Sequence, residues 1–391
     1  MASSRGSGPT VTVWVSRGWS VIFSRDKRPE RQAALARLLE TEGLDALLVT
    51  SRSNIRYLTG FSGSAGVAVA TRSSVLLVTD FRYDEQARQQ AGAVARVEIE
   101  ATSVWDRLFK ELPTLGTATL GGNVIGFEAH ALSVKDAERF TMGPGAAWRW
   151  KSAGELVERL RLRKDPGEVA AIHAAATLAA AALQETLAGV RVGQTELAIA
   201  GALEAALRRQ GSEGHPFPII VASGPRSALP HANTSARTVA AGEWLLLDFG
   251  AVVDGYCADV TRTVVVGARA DEAQRALYGL VQEAQRRARE GVRAGMTGRE
   301  ADALARDVIE ARGFGAAFGH STGHGLGLDV HEAPRLARTA NDPLPAGAVV
   351  TIEPGVYVAG RGGVRLEDDV HLSADGPVLL SDGCTELVEL A

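Results

Sequence analysis

Residues 244–266 read WLLLDFGAVVDGYCADVTRTVVV, and this stretch decides the fold predicted for the second half of the chain. Residues 244–249 are almost continuously apolar, which predicts a buried strand. The Asp254-Gly255 pair favours a tight turn, and residues 256–266 alternate as a second strand would. We therefore predict a β-hairpin over this stretch.

A second predicted hairpin has the same layout. Residues 349–358 and 363–372 are strand candidates on either side of a glycine-rich turn. Helical patterns cover residues 169–188, 270–291 and 298–312. The order of helices, hairpin, helices and hairpin predicts an α+β domain with helices packed over an antiparallel sheet.

Each of the four predicted strands carries an acidic residue among apolar neighbours. These residues are Asp248, Asp259, Glu353 and Glu367. A carboxylate at a half-buried strand position is destabilising unless it is paired. Only Arg262 and Arg365 are basic residues close by in the sequence, so arginines cannot pair all four. A metal cluster shared by the two hairpins resolves this conflict.

The histidines are also concentrated. Three of the eight lie in residues 319–331, GHSTGHGLGLDVH, where the glycines allow the backbone to approach a ligand closely. One imidazole, that of His324, together with the four carboxylates suits Mn²⁺, Co²⁺ or Fe²⁺ and can hold Zn²⁺. Two ions roughly 3.5–4 Å apart would use all four carboxylates and lower the pKa of a water molecule enough to make it a nucleophile.

The first part of the chain has a different pattern. Residues 29–155 alternate between helical and strand patterns, which predicts a smaller α/β domain that supports the other one. Residues 160–391 form the predicted catalytic domain, which holds every candidate ligand. Residues 1–28 are predicted to be a disordered extension or a non-native start.

Composition excludes several classes of function. The net charge of −4 gives no support for a nucleic-acid partner, and we interpret the basic residues at 159–164 as a solvated helix end. The two cysteines, Cys257 and Cys384, are too few for a disulfide framework and indicate a reducing, cytoplasmic location. We expect no membrane partner, because no apolar run approaches the roughly 18–20 residues of a membrane span.

Several short motifs together resemble the pita-bread metallopeptidases, a group that includes methionine aminopeptidase, aminopeptidase P and prolidase. The motifs are LDFG (247–250), DGYCADVTRT (254–263), HSTGHG (320–325), VHE (330–332), IEPGVY (352–357) and VRLEDD (364–369). The resemblance extends over residues 165–391, and NIRYLTGF (54–61) is similar to the creatinase-type N-terminal domain. It implies a pita-bread catalytic domain preceded by a smaller creatinase-like α/β domain.

The resemblance also implies a metal-ligand set. Asp248 would chelate one ion, and Asp259 and Glu367 would bridge two ions. His324 and Glu353 would hold the second ion, and Glu353 would also act as the general base. Mn²⁺ is the expected metal, with Co²⁺ or Zn²⁺ as alternatives.

Five further residues match substrate-side or supporting positions of the family. By resemblance, His231 and His331 orient the scissile bond and stabilise the oxyanion, and His320 lines the pocket for proline. Tyr357 and Arg365 match a pair that supports proton transfer in aminopeptidase P.

The implied activity is hydrolysis of the bond between an N-terminal residue and a following proline, by an Xaa-Pro aminopeptidase. The alternative is a prolidase, which accepts dipeptides only. Methionine aminopeptidases usually lack the N-terminal domain, and creatinases and non-catalytic relatives lack metal ligands that are intact here. The resemblance also implies a homodimer formed through the N-terminal domain.

Overall fold

A computed structural model describes residues 26–115, 124–381, 383 and 385–390. Most of the predicted extension, residues 1–25, lies outside the described residues, as does Cys384. The chain divides into two compact units, with the division between Arg161 and Leu162. The predicted mixture of an α/β unit followed by an α+β unit is confirmed.

The first unit is a mixed six-stranded sheet with flanking helices. Its elements are α1 (Arg28–Thr41), β1 (Ala46–Val49), α2 (Arg52–Thr59), β2 (Val67–Thr71), β3 (Val75–Asp80), α3 (Asp84–Ala91), β4 (Arg96–Glu100), α4 (Val104–Glu111), β5 (Val124–Phe127), α5 (Val134–Ala137), β6 (Arg149–Ser152) and α6 (Leu156–Arg161). The strand order is β4-β3-β2-β1-β5-β6, and β2 runs antiparallel to both of its neighbours. The other neighbouring strands pair in parallel.

The second unit holds two larger sheets and the remaining helices. Its elements are α7 (Pro166–Gly189), α8 (Glu196–Gln210), β7 (Ile220–Ser223), β8 (Glu243–Phe249), β9 (Val252–Val253), β10 (Tyr256–Cys257), β11 (Val260–Val266), α9 (Glu272–Gly291), α10 (Gly298–Glu310), β12 (Gly323–Gly325), β13 (Glu332–Leu336), β14 (Val349–Ile352), β15 (Gly355–Val358), β16 (Gly362–Arg365), β17 (Asp368–Ser373), β18 (Gly376–Leu379) and β19 (Glu389–Leu390). One sheet has the order β19-β11-β8-β7, and the other has the order β13-β12-β14-β17-β18. Strands β9 with β10 and β15 with β16 form two short hairpins.

Each sheet has its own pair of helices and its own apolar core. Helices α7 and α8 contribute to a core that includes Leu247 and Val264 of β8 and β11. Helices α9 and α10 contribute to a second core that includes Val350 and Val370 of β14 and β17. Helix α10 begins with the expected capping box, in which Thr297 and Glu300 exchange side-chain and backbone hydrogen bonds.

Helix α7 corrects the expectation about membrane spans. By length and composition alone it is apolar enough to cross a membrane. The statement that no such run exists is therefore wrong. Core helices rich in small residues meet the same criterion, and Ala175, Ala176 and Ala179 of α7 are fully buried in the core shared with α8.

The basic residues at 159–164 are not all solvated, so that interpretation is wrong for two of them. Arg161 is 3% exposed, and its Nη1 donates to the side-chain oxygen of Asn54 at 2.7 Å. Lys164 is also buried, and its ammonium lies 3.2 Å from the Glu332 carboxylate. Both cations are therefore structural groups, and each lies within one of the two compact units.

Candidate metal centre and active site

Three of the five candidate ligands lie where strands are interrupted, which differs from the prediction of continuous strands. Residues 256–266 divide into β10 and β11, and Asp259 lies between them. Glu353 lies between β14 and β15, and Glu367 lies between β16 and β17. Strand β14 pairs with β17 and β15 pairs with β16, so the two breaks face each other. At a break the side chain does not have to follow the alternation of the ladder, which lets it turn toward a shared point.

Three of the predicted ligands form a compact group. The ligand atoms of Asp259, His324 and Glu367 all lie within 4.8 Å of one another. Glu353 belongs to the same group, because its Oε1 is 3.6 Å from His324 Nε2. The structure therefore brings four of the five predicted ligands into direct proximity.

Asp248 completes the group from the neighbouring strand. It lies on β8 and pairs in register with Thr261 of β11, two residues after Asp259. Its carboxylate accepts a hydrogen bond from Arg365. Its negative charge also contributes to the raised pKa values of Asp259, Glu353 and Glu367. All five predicted ligands thus share one region.

The strand that carries His324 fits tightly between its neighbours. A Cβ on Gly323 would lie 1.9 Å from the carbonyl oxygen of Thr351, and a Cβ on Gly325 would lie 2.2 Å from that of Ala333. The glycines therefore allow close approach to adjacent strands, whereas the sequence pattern suggested close approach to a ligand. The Thr351 hydroxyl also accepts the backbone N–H of His324 at 3.1 Å.

The hydrogen bonding of His324 fixes its tautomer. Nδ1 lies 3.0 Å from the carbonyl oxygen of Gly325, which can only accept, so Nδ1 carries the proton. Burial lowers the pKa of His324 to about 4, so the ring is neutral near pH 7. The lone pair of Nε2 therefore faces Asp259 Oδ2 at 3.7 Å and Glu353 Oε1 at 3.6 Å. This arrangement is repulsive unless a metal cation or a carboxyl proton lies between these atoms.

The pKa values of the carboxylates also indicate a cation site. Burial, followed by the charges of Glu367 and Asp248, raises the pKa of Asp259 well above its ordinary value. Burial and then Glu353 do the same to Glu367, and burial raises the pKa of Glu353 to about 7. Asp259 Oδ1 is buried without a hydrogen-bond partner. The donor set therefore fits divalent cations, which would use the orphaned oxygen and offset the clustered charge.

Thr261 and Arg262 hold Glu367 in place, a role that the sequence pattern did not predict for either residue. The Thr261 hydroxyl donates to Glu367 Oε2 at 2.6 Å, and the Glu367 N–H donates to the Thr261 carbonyl at 3.1 Å. Arg262 donates to the carbonyl oxygens of both Thr261 and Glu367 and pairs with Asp368. Arg262 therefore supports the ligand backbone, and its carboxylate partner is Asp368.

Arg365, Tyr357 and His320 form a continuous polar chain beside the ligands. Arg365 Nη1 donates to the Tyr357 hydroxyl at 2.7 Å, and that hydroxyl lies 2.8 Å from His320 Nε2. His320 Nδ1 faces the carbonyl of Ser321 at 2.8 Å, so Nε2 accepts the Tyr357 proton. Burial lowers the pKa of His320 to about 4 and raises that of Tyr357 to about 12. Both groups are therefore neutral near pH 7.

The two remaining predicted histidines border the same region and are exposed. The His331 ring meets the His324 ring with centroids 4.6 Å apart. His231 contributes to the lowered pKa of His320, and the carbonyl of the preceding Pro230 accepts from Arg365 at 3.3 Å. Their exposure leaves both imidazoles accessible from solvent.

The buried carboxylate of Glu196, which sequence reasoning missed, joins the two ends of the loop that carries His231. Glu196, at the start of α8, accepts from the backbone and hydroxyl groups of Ser223 and Ser235. These serines flank His231 on either side in the sequence. Acidic residues are common in the first turn of a helix, and Glu196 directly follows the helix cap Thr195. The sequence therefore does not indicate that Glu196 binds the two serines.

The chain belongs to metallopeptidase family M24. Residues 170–374 match the model of that family, and residues 31–163 match the Creatinase/Prolidase N-terminal domain. The resemblance stated from the motifs is thereby confirmed, and the chain is a hydrolase of a family that uses divalent metals.

Similar proteins share nearly the whole chain. An uncharacterised peptidase of Bacillus subtilis, YqhT, is 39% identical over 348 residues, covering 89% of this chain and 96% of its own length. The Xaa-Pro dipeptidase from Bacillus anthracis superposes with a TM-score of 0.87 at 38% identity, covering 93% of this chain and all of that one. The X-Pro aminopeptidase from Thermotoga maritima gives 0.84 at 35% identity, with coverages of 92% and 99%.

Proposed function

We propose that this protein hydrolyses the peptide bond between an N-terminal residue and a following proline, using two divalent cations held by Asp248, Asp259, His324, Glu353 and Glu367. The observation that carries the proposal is the convergence of Asp259, His324 and Glu367 within 4.8 Å, with Glu353 beside them. When bound, the cations would polarise the scissile carbonyl and supply an acidified water as nucleophile. We propose Mn²⁺ as the metal, with Co²⁺ or Zn²⁺ as alternatives.

Glu353 is the proposed proton carrier. Its carboxylate would accept the proton of the attacking water and pass it to the proline nitrogen as the bond breaks. The side chain is 15% exposed and borders both His324 and His320, with Oε2 at 3.8 Å from His320 Nδ1. This position supports contact with a substrate from the side that carries the histidines.

The surrounding polar groups would bind and orient the peptide. His231 and His331 are exposed beside the ligands, where imidazole N–H groups can donate to the carbonyl oxygen as it becomes an oxyanion. His320 would border the proline ring, with its orientation set by Tyr357 and Arg365. In this role Tyr357 and Arg365 keep the hydrogen-bonding groups of His320 in place while negative charge develops on the substrate carbonyl oxygen.

For substrate length, the leading proposal is an Xaa-Pro aminopeptidase. It is supported by the likeness to the Thermotoga maritima protein and by the Tyr357–Arg365 contact, which agrees with the resemblance to aminopeptidase P. An Xaa-Pro-Xaa tripeptide and the matching Xaa-Pro dipeptide, assayed with Mn²⁺, test this proposal. Turnover of the tripeptide is expected, and turnover of the dipeptide alone would contradict the aminopeptidase.

A prolidase is the second candidate, and one observation favours it beyond the likeness to the Bacillus anthracis dipeptidase. Arg335 on β13 pairs in register with His324, so the two side chains share a face of the sheet. Arg335 is exposed, and its charge contributes to the lowered pKa of His324. A guanidinium there can bind the terminal carboxylate of a dipeptide. In that case Arg335→Met would raise KM for the dipeptide and leave KM for an amidated dipeptide unchanged.

We also propose a cytoplasmic homodimer without a nucleic-acid or membrane partner. The low cysteine count supports the cytoplasmic location, the negative net charge argues against a nucleic-acid partner, and the family resemblance supports the dimer. Light scattering on the purified chain and fractionation of the source cells test it. A monomer in solution, or recovery with the membrane fraction, would contradict it.

A further inference from the structure

Asp302 and Arg306 form a buried ion pair one turn apart on α10. Arg306 Nη2 lies 2.8 Å from Asp302 Oδ1, and its Nε donates to Oδ2. The side chains are 7% exposed for Arg306 and 2% exposed for Asp302. Neither residue belongs to the ligand set or to the proposed mechanism. A buried pair loses much of its attraction to desolvation, so its use must be sought in what else its atoms hold.

The pair binds the backbone between α10 and β12 at several points. Arg306 donates to the carbonyl oxygens of Phe318 at 3.1 Å and His320 at 2.7 Å. Asp302 Oδ1 accepts from the Thr322 N–H at 3.0 Å and from its hydroxyl at 2.9 Å. We name residues 318–322, held by this pair, the α10–β12 turn.

The α10–β12 turn orients the ring of His320. The Arg306 guanidinium stacks over the Phe318 ring at 4.1 Å from its centroid. The Phe318 ring in turn meets the His320 ring edge to face, with centroids 5.1 Å apart. On its other side, His320 contacts Tyr357. Arg306 therefore fixes both the backbone of His320 and the neighbour against which its ring rests.

The same turn reaches Glu353. The Thr322 carbonyl accepts the Glu353 N–H at 2.8 Å, directly where β14 is interrupted. Thr322 is fully buried, so water does not compete for these bonds. A short path of hydrogen bonds thus runs from Asp302 through Thr322 to the proposed proton carrier.

We propose that Asp302 and Arg306 are positioning residues that set the relative placement of His320 and Glu353 through the α10–β12 turn. The catalytic part of this inference rests on the proposed function. The part that concerns Glu353 as a ligand can be measured without substrate.

Arg306→Lys is the decisive variant. It keeps a positive charge opposite Asp302, but a single ammonium cannot reproduce the fork that binds two carbonyls and both carboxylate oxygens. We expect kcat/KM for an Xaa-Pro peptide to fall about tenfold or more, since small misplacements of reacting groups have such effects. We also expect the Kd for Mn²⁺, measured by calorimetry on metal-free protein, to rise at least about threefold.

The matched control is Ile309→Val or Ile309→Ala, whichever lowers Tm as much as Arg306→Lys. Ile309 is fully buried on the same helix and packs into the apolar core. We expect the control to keep wild-type kcat/KM and Mn²⁺ affinity at temperatures well below Tm. If Arg306→Lys behaves like this control in both measurements, the pair is only structural and the proposal is overturned.

Two Thr322 variants decide the question if Arg306→Lys does not fold. Thr322→Val removes the hydroxyl bonded to Asp302 at nearly constant volume, and Thr322→Ser retains it. We expect the Val variant to lose kcat/KM and Mn²⁺ affinity and the Ser variant to restore both. Equal behaviour of the two variants would overturn the proposal. Wild-type protein that binds Mn²⁺ but leaves Xaa-Pro peptides intact would refute the proposed function, while the Mn²⁺ measurements would still test the turn.

Discussion

His324 Nε2 and Asp259 Oδ2 lie 3.7 Å apart, and the proton of the His324 ring does not lie between them. The ring proton of His324 is on Nδ1, where it faces the Gly325 carbonyl. Two atoms with free electron pairs that the surrounding strands hold this close together indicate a cation site. The relationship follows from the interruption between β10 and β11, which releases Asp259 from the ladder.

Asp259→Asn is expected to abolish high-affinity binding of divalent metal. The amide offers only one neutral oxygen, whereas the carboxylate would offer two charged oxygens to the divalent cations. Calorimetric titration of metal-free protein with Mn²⁺ measures the effect. Asp254→Asn is the matched control, because Asp254 is an exposed turn residue of the same stretch with φ of 47°, which asparagine tolerates. Unchanged stoichiometry in Asp259→Asn would contradict the assignment.

Glu353→Ala is expected to reduce kcat to a few per cent of wild type or less while the fold is retained. The change removes a ligand and the proposed proton carrier together, and general acid–base catalysis alone contributes about 10²–10⁴-fold. Steady-state assays with Mn²⁺ and circular dichroism measure the two properties. Glu290→Ala, an exposed change on α9, should leave both unaltered. Activity well above a few per cent in Glu353→Ala would remove Glu353 from the mechanism.

Stability without metal should depend on pH through Glu353. Its pKa is raised to about 7, so the folded state binds the proton more tightly than the unfolded state does. The associated stability is complete below pH 4.5 and is lost as pH rises through 7, a change of about 3 kcal/mol at most. The Glu353→Gln variant cannot ionise at this position, so it does not lose this stability as pH rises.

A comparison of the two proteins measures the contribution of Glu353, including its share in the raised pKa values of Asp259 and Glu367. Buried His320 and His324, with pKa values lowered to about 4, act in the opposite direction between pH 4 and 6.5, and they are present in both proteins. We therefore expect the Tm of metal-free Glu353→Gln to increase relative to wild type between pH 5 and 8. A Tm difference that does not change with pH would contradict the burial argument.

Tyr357→Phe should lower kcat/KM about tenfold to a hundredfold, whereas a matched change that lowers Tm to a similar extent should not. The hydroxyl links Arg365 to His320, and its loss leaves His320 Nε2 without its donor. Tyr278→Phe is the matched control, since the buried Tyr278 hydroxyl donates to the Thr385 carbonyl in another part of the core. Equal kinetics of the two variants would exclude a role for Tyr357 in substrate binding or proton transfer.

The sequence by itself determined the donor set and the turns. Acidic residues within apolar runs are costly unless a partner neutralises them, so Asp248, Asp259 and Glu367 could be singled out before any coordinates were known. The Asp254-Gly255 turn follows from the tolerance of these two residues for positive φ, and the structure has φ of 47° and 72° there. These features depend on a residue and its immediate neighbours.

Only the tertiary structure decided where strands break and what holds the site. The apolar pattern continues through Asp259 and Glu353, so local periodicity predicts unbroken strands. The breaks arise because β14 and β15 pair with different segments, β17 and β16. Asp302, Arg306 and Glu196 were missed for the same reason, since each is an ordinary helical residue whose partners are distant in sequence. Spacing along the chain does not encode such non-local contacts, because they are fixed by packing.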